Sequence, residues 1–301
     1  MFASFTFVGL VAPVFTIFNS DLTLNTEGVP KYANYLARHG IGGILVAGTS
    51  GEGPSLTIDE RKEQTEAWAD AVKDTSQHLM VQVGGTAFPN VIELAKHASN
   101  VGADSILCLP DLYFRPQSNQ ELINYLRLVS AAVPNLPLLY YHIPANTGVN
   151  ISVADFLEEA ADQLPNLVGV KYTDNDINGA IAAVRAALGK YTIFIADDTV
   201  MAEAFSNGFN SAIASSISAF PHFSTEILEG IRYNRFGMAY NLQRNLTNIV
   251  NILRAHGPLT SSMKTATNMF SPINVGYARP PLGNPNPYSI DELESEIKQY
   301  L

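Results

Sequence analysis

The sequence predicts an α/β protein, a (β/α)8 barrel of the TIM type with a C-terminal helical extension. Three observations carry this. Short apolar β-rich runs alternate eight times with longer amphipathic segments, at a spacing of ~25 residues, which is the pattern of strands linked by covering helices. The apolar runs are continuous, as expected for parallel strands buried on both faces. The turn after the first run, Ala12-Pro13-Val14-Phe15-Thr16, lacks the Gly-x-Gly-x-x-Gly pattern of a doubly wound dinucleotide fold. Eight such units close more readily than they extend.

The elements follow in order. Val8 to Val14 is the first strand, and Thr26 to His39 a helix with Thr26 as N-cap and Gly40 as its stop. Gly42 to Ala47 is the second strand, followed by the turn Gly48-Thr49-Ser50-Gly51-Glu52-Gly53. Thr57 opens the next helix with Glu60 three residues on, a capping box. Leu79 to Val83 and Ser105 to Leu109 are strands flanking a helix over Asn90 to Asn100. A helix over Asn119 to Ala132 leads to the strand Pro137 to Tyr141, and one over Ser152 to Ala161 leads to Leu167 to Lys171. Ile177 to Leu188 is a helix, Thr192 to Ala196 the seventh strand, Val200 to Asn207 a short helix and Ser211 to Ala214 the eighth strand. Beyond it lie helical patterns over Phe223 to Asn234, Met238 to Ala255, Ser261 to Asn268 and Ile290 to Tyr300, the last preceded by a Pro-rich linker, Arg279 to Pro287. The expected organisation is a catalytic barrel over residues 1–222 and an appendage over 223–301.

Composition narrows the function. Of 301 residues, 47% are hydrophobic and 15% charged, enough apolar material for a large core and too little charge for disorder. A net charge of −10 argues against nucleic-acid or anionic-membrane partners, which need a basic surface. No apolar run approaches the ~20 residues of a membrane span, and the apolar start has no basic region ahead of it, so it reads as a strand. The single cysteine, Cys108, sits in an apolar run and reads as a buried hydrophobe. The expected setting is cytoplasmic.

In a barrel of this kind the active site lies at the C-terminal ends of the strands. Lys171 ends the sixth strand, after Leu167-Val168-Gly169-Val170 and with no acidic residue before Asp174. The other seven of the eight lysines fall on predicted helices or in loops, where a solvated ammonium is expected. A buried unpaired ammonium tends to lose its proton, and a neutral amine is a nucleophile; the alternative is an edge lysine snorkelling to water. The turn at Thr49 and Ser50 lacks the Gly-Lys-Ser/Thr ending of a P-loop. Its hydroxyls and N–H groups suit a small anion such as a carboxylate, or the glycines serve only a tight turn. Glu52 reads as structural, because its charge would repel that anion. His142 reads as structural and not as a base. Asp197 and Asp198 fit polyol ligands, a helix cap or a metal; no Cys/His/Asp cluster has zinc spacing, and no metal is expected. No Gly-x-Ser-x-Gly elbow is present, which disfavours a serine hydrolase.

The stretches Gly48-Thr49-Ser50-Gly51-Glu52-Gly53 with Leu56 and Glu60-Arg61, Tyr141-His142-Ile143-Pro144-Ala145 with Thr147-Gly148-Val149, and Gly169-Val170-Lys171 resemble the N-acetylneuraminate lyase and dihydrodipicolinate synthase superfamily. The resemblance runs through essentially the whole chain in order. It implies a class I aldolase in which Lys171 forms a Schiff base with a pyruvate-type 2-oxo acid, without a separate cofactor. It further implies that Tyr141 shuttles protons and that Thr49 and Ser50 hold the substrate carboxylate. Thr173, Ala196, Asp198, Thr199 and Ser215 fall where the lyases contact the sugar-derived aldehyde. Asn146 stands where dihydrodipicolinate synthases carry an arginine for a second carboxylate, which favours a neutral sugar-like partner. The lyases end their seventh strand in Asp-Glu, whereas this chain has Asp197-Asp198-Thr199, with Thr199 at the Glu position. The implied reaction is reversible cleavage of N-acetylneuraminate to N-acetylmannosamine and pyruvate. The alternatives are an aldolase or dehydratase for another 2-keto-3-deoxy sugar acid, a dihydrodipicolinate synthase-like enzyme, or a barrel that only binds ligand. The segment Asp111 to Pro116, around Tyr113, matches one shared between subunits and implies a homotetramer.

Overall fold

The computed structural model describes residues 5–301. Among them, eight parallel strands close into a barrel in sequence order. They are β1 (Leu10–Pro13), β2 (Gly43–Val46), β3 (His78–Gln82), β4 (Ser105–Cys108), β5 (Leu138–His142), β6 (Leu167–Tyr172), β7 (Thr192–Ile195) and β8 (Ala212–Ile213). The helices are α1 (Val29–Arg38), α2 (Ile58–Thr75), α3 (Phe88–Asn100), α4 (Asn119–Ala132), α5 (Pro144–Thr147), α6 (Val153–Ala160), α7 (Ile177–Arg185), α8 (Met201–Ser206), α9 (Ser215–Ala219), α10 (Pro221–Arg232), α11 (Phe236–Ala255), α12 (Leu259–Phe270) and α13 (Ile290–Lys298).

Strand alternation divides the core in two. Side chains facing inward (Val11, Leu45, Met80, Leu107, Leu139, Phe194 and Ile213) fill the barrel, and outward ones pack under the helices with Tyr32, Trp68 and Phe156. Phe7 stacks on His78 at 4.6 Å and lies 6.3 Å from Phe194, which places it against the inner cluster at the end of the barrel where the strands begin. The expected start of the first strand therefore moves to Leu10, because Phe5 and Phe7 pack against the barrel interior outside the ladder.

Local chemistry explains the helix limits. The Thr57 side chain accepts from the Glu60 N–H at 3.2 Å, and the Glu60 carboxylate accepts from the Thr57 N–H at 2.9 Å, completing the capping box. Gly40, at φ 75°, ends the first helix unit as expected, but α1 begins at Val29 and not at Thr26, with Pro30 in its first turn. Helix α7 stops at Arg185, short of Leu188, since Ala187 and Leu188 take left-handed φ values of 46° and 58°. Two short helices that periodicity did not suggest, α5 and α9, follow directly on β5 and β8. Helix α10 packs on α8, α9 and α11; the boundary expected at residue 222 falls in its first turn.

One irregularity matters for the site. The pairing of β5 with β6 shifts register between Leu138 and Leu139, so that Leu138 faces Leu167 but Leu139 faces Gly169. The extra residue, Val168, resets the phase of β6, and Lys171 comes level with Tyr141 on the inner face. Gly169 permits the close strand approach there: a Cβ on it would lie 2.2 Å from the Thr192 carbonyl oxygen.

Candidate active site

At the C-terminal ends of the strands lies a cavity of about 600 Å³. Lys171, Tyr141, Thr49, Ser50, Thr173, Ala196, Asp198 and Ser215 all line it, so eight of the nine residues singled out from the sequence meet in one place. Thr199 does not line it. Its hydroxyl and N–H both donate to the Asp197 carboxylate, at 2.6 and 2.7 Å, and it is Asp197 that reaches the cavity wall. The tight turn after β7 explains this correction: Thr199 folds back to hold its neighbour.

Lys171 is 4% exposed, and its Nζ donates to the Tyr141 phenol oxygen at 3.0 Å while lying 4.2 Å from the centre of that ring. The Tyr141 oxygen in turn shares a hydrogen bond of 2.9 Å with the Thr49 hydroxyl. Among the described residues no carboxylate lies within 4.0 Å of Nζ. An amine, a phenol and a hydroxyl thus form a continuous chain along which a proton can move.

The turn carrying Thr49 is bent by backbone geometry that few sequences allow. Ala47 and Glu52 both take left-handed φ values, 57° and 53°. A Cβ on Gly53 would sit 2.0 Å from the Ala47 carbonyl oxygen, so only glycine fits. The turn closes through Glu52 N–H to Thr49 O (3.0 Å) and Gly53 N–H to Gly48 O (3.1 Å). Ser50 and Ser215 share a hydrogen bond of 2.8 Å across the cavity wall. The N–H groups of Thr49 and Ser50 donate to no acceptor among the described residues. The Glu52 carboxylate is paired with Lys264, as its structural reading expects.

Asp197 and Asp198 make part of the cavity wall acidic. Burial pushes the Asp198 carboxyl up, opposed by the Ser216 N–H that it accepts at 2.7 Å and by the charge of Arg254. Thr173 has a buried hydroxyl without a partner among the described residues. Asn146 of α5 also lines the cavity.

Sequence reasoning missed two features. Arg254 of α11, with Leu259 of α12, closes the cavity from the C-terminal extension; Lys171 is therefore not the only cation there. Nothing local in the sequence marks Arg254, since its place depends on how the extension folds over the barrel. Lys264, expected to be solvated, is fully buried and more enclosed than Lys171. No signal at helical spacing marks Lys264, since the residues three and four positions away, Thr260, Ser261, Thr267 and Asn268, are all polar.

Cys108 and His142 lie outside the cavity. Burial pushes the Cys108 thiol up to about 12, which makes it unreactive. His142 sits between Tyr140 and Tyr172, with ring centres at 5.9 and 5.2 Å. Burial lowers it to about 4, against the opposing charge of Asp174. The unfolded chain binds this proton near pH 6.5 and the folded chain does not, so stability is full above pH 6.5 and falls as pH drops towards 4. His142→Phe is expected to flatten the acid limb of a melting temperature against pH curve in that window. An unchanged limb would show that other groups set it.

Among the described residues no group of three or more His, Cys, Asp or Glu is arranged to hold a metal, and no helix is long and apolar enough to cross a membrane.

Comparison with known proteins agrees with this geometry. N-acetylneuraminate lyase of Pongo abelii is 31% identical over 292 residues, covering 96% of this chain and 91% of the relative. Among solved structures, N-acetylneuraminate lyase (sialic acid aldolase) from Aliivibrio salmonicida superposes with a TM-score of 0.93 at 26% identity, covering 99% of this chain and 98% of that one. A prophage protein of the dihydrodipicolinic acid synthase family from E. coli K12, in complex with pyruvate, gives 0.90 at 26% identity, with 98% of each chain covered. The dihydrodipicolinate synthetase family matches from residue 6 to residue 300, across barrel, lysine strand and extension alike, and the chain belongs to that family.

Proposed function

We propose that the protein is a class I, pyruvate-dependent aldolase that reversibly cleaves N-acetylneuraminate to N-acetylmannosamine and pyruvate. The observation that carries this is the Lys171–Tyr141–Thr49 hydrogen-bond chain beside the glycine turn. The lyase relatives, similar over nearly their full length, support the choice of substrate.

The amine of Lys171, in its neutral form, adds to the C2 keto carbon. The former carbonyl oxygen takes protons and leaves as water, giving an iminium. The substrate carboxylate is held by the hydroxyls and N–H groups of Thr49 and Ser50. Tyr141, having given its proton to the departing water, takes the proton of the C4 hydroxyl as the C3–C4 bond breaks. The aldehyde departs, and the bonding pair passes into an enamine with the iminium as sink. Protonation at C3 and hydrolysis return pyruvate and the free lysine. All carbon chemistry is carried by the lysine adduct, and no separate cofactor is proposed. Asp197, Asp198, Thr173 and Ser215 are the proposed acceptors and donors for the sugar hydroxyls.

The test is sodium borohydride reduction in the presence of pyruvate, followed by peptide mapping, with a panel of 2-keto-3-deoxy sugar acids assayed alongside. A reduced adduct on Lys171 and preferential cleavage of N-acetylneuraminate are expected. No adduct on Lys171 would refute the mechanism. Thr199 donates its hydroxyl to Asp197, and faster turnover of an unsubstituted sugar acid in the panel would overturn the choice of N-acetylneuraminate.

The assembly proposed is a cytoplasmic homotetramer. Tyr113 and Phe114, 86% and 82% exposed, stand on a loop whose N–H groups are held by Asp111 and whose Leu112 reaches the cavity. Two exposed aromatics beside a site suit a subunit contact; sedimentation and cell fractionation check the two points.

A further inference from the structure

The buried pair formed by Glu52 and Lys264 takes no part in the chemistry above, yet it sits directly behind the turn. Both side chains are 0% exposed, and Lys264 Nζ donates to Glu52 Oε1 at 2.8 Å. Its remaining protons go to the carbonyl oxygens of Thr16 (2.9 Å) and Tyr277 (3.0 Å). Glu52 Oε2 accepts the Arg279 N–H at 2.7 Å. Thr16, whose carbonyl oxygen Lys264 holds, donates its own hydroxyl to Gly51 O at 2.6 Å. The turn is thus gripped at Gly51 and Glu52, next to the residues that present Thr49 and Ser50.

Glu52 also lines the cavity. A buried carboxylate stripped of its cation must find water or a proton, and the water nearest Glu52 is in the cavity, where the 2-oxo acid carboxylate is to bind. Glu52 already holds a left-handed backbone that the surroundings must impose.

We infer that Lys264 is a positioning residue for the substrate carboxylate site: it keeps the Glu52 charge out of the anion pocket and holds the Thr49–Ser50 turn in shape. This rests on the reading of that turn as the carboxylate site. The extension beyond the barrel thereby becomes part of substrate recognition, through a residue about 90 positions from Lys171.

The experiment measures borohydride trapping of Lys171 with two ketones, pyruvate and hydroxyacetone, which is neutral and of similar size. Lys264→Met is expected to lower the preference for pyruvate over hydroxyacetone at least tenfold, with hydroxyacetone trapping little altered. Adding Glu52→Gln to it removes the released charge and should return most of that preference. A folded Lys264→Met variant whose preference stays within twofold of wild type overturns the inference, as does a parallel loss with both ketones. If Lys264→Met does not fold, the neutral double variant decides: a preference within threefold of wild type supports the charge argument, and a tenfold loss refutes it. A wild type that is never trapped on Lys171 overturns the Schiff-base reading; a trapped wild type with unaltered selectivity in the variant overturns only the role of Lys264.

Discussion

Lys171→Met is expected to abolish adduct formation with pyruvate under borohydride and to lower cleavage on the order of 10⁴-fold or more. The substitution conserves volume and removes only the amine. Stability should hold or rise, because the amine has no carboxylate within 4.0 Å to lose among the described residues, and methionine suits a buried position. Circular dichroism and a melting curve separate loss of chemistry from loss of fold. A variant that keeps more than about a hundredth of wild-type turnover would show that another nucleophile carries the reaction.

Tyr141→Phe tests the proton relay. It deletes the oxygen that receives the Lys171 N–H at 3.0 Å and meets Thr49 at 2.9 Å, but leaves the ring beneath the amine. Turnover is expected to fall by about 10²–10⁴, the usual worth of a positioned acid or base. Half-saturation for pyruvate in the trapping assay should change less than about threefold, because the carboxylate contacts come from the turn. Steady-state kinetics in the cleavage direction, set beside trapping of pyruvate, make the comparison. Equal losses in both would place Tyr141 in binding and not in proton transfer.

Much of this was legible in the chain itself. The barrel follows from eight apolar runs and their amphipathic partners, since eight such units close more readily than they extend and the turn after the first run lacks the doubly wound pattern. The Thr57 capping box is a four-residue pattern and forms as written. The lysine ending a buried strand, the tyrosine ending another, and the hydroxyls of a glycine turn are each local features, and the barrel brings all strand ends to one rim. Glu52 was readable as structural from electrostatics alone, although its partner was not.

Two residues were missed because their contacts depend on distant segments. Lys264 lies on a helix and looks like a solvated residue until α12 is seen packed on α9 and α11, where three acceptors from three segments meet its amine. Arg254 reaches the cavity only because the C-terminal end of α11 comes to lie beside it. Thr199 aligns with a sugar-binding position by counting, yet its hydroxyl is taken by Asp197 two residues away.

The sequence by itself determined the kind of barrel, the rim on which the candidate site lies, and the amine, phenol and glycine turn that meet there, because periodicity and strand direction dictate those. Only the tertiary structure decided which face of β6 the amine would take. The register shift at Val168 turns Lys171 inward beside Tyr141, and it depends on Gly169 letting β6 approach β7 closely. Only the tertiary structure, likewise, could pair Lys264 with Glu52, because a buried charge finds its partner through space and leaves no spacing in the chain to announce it.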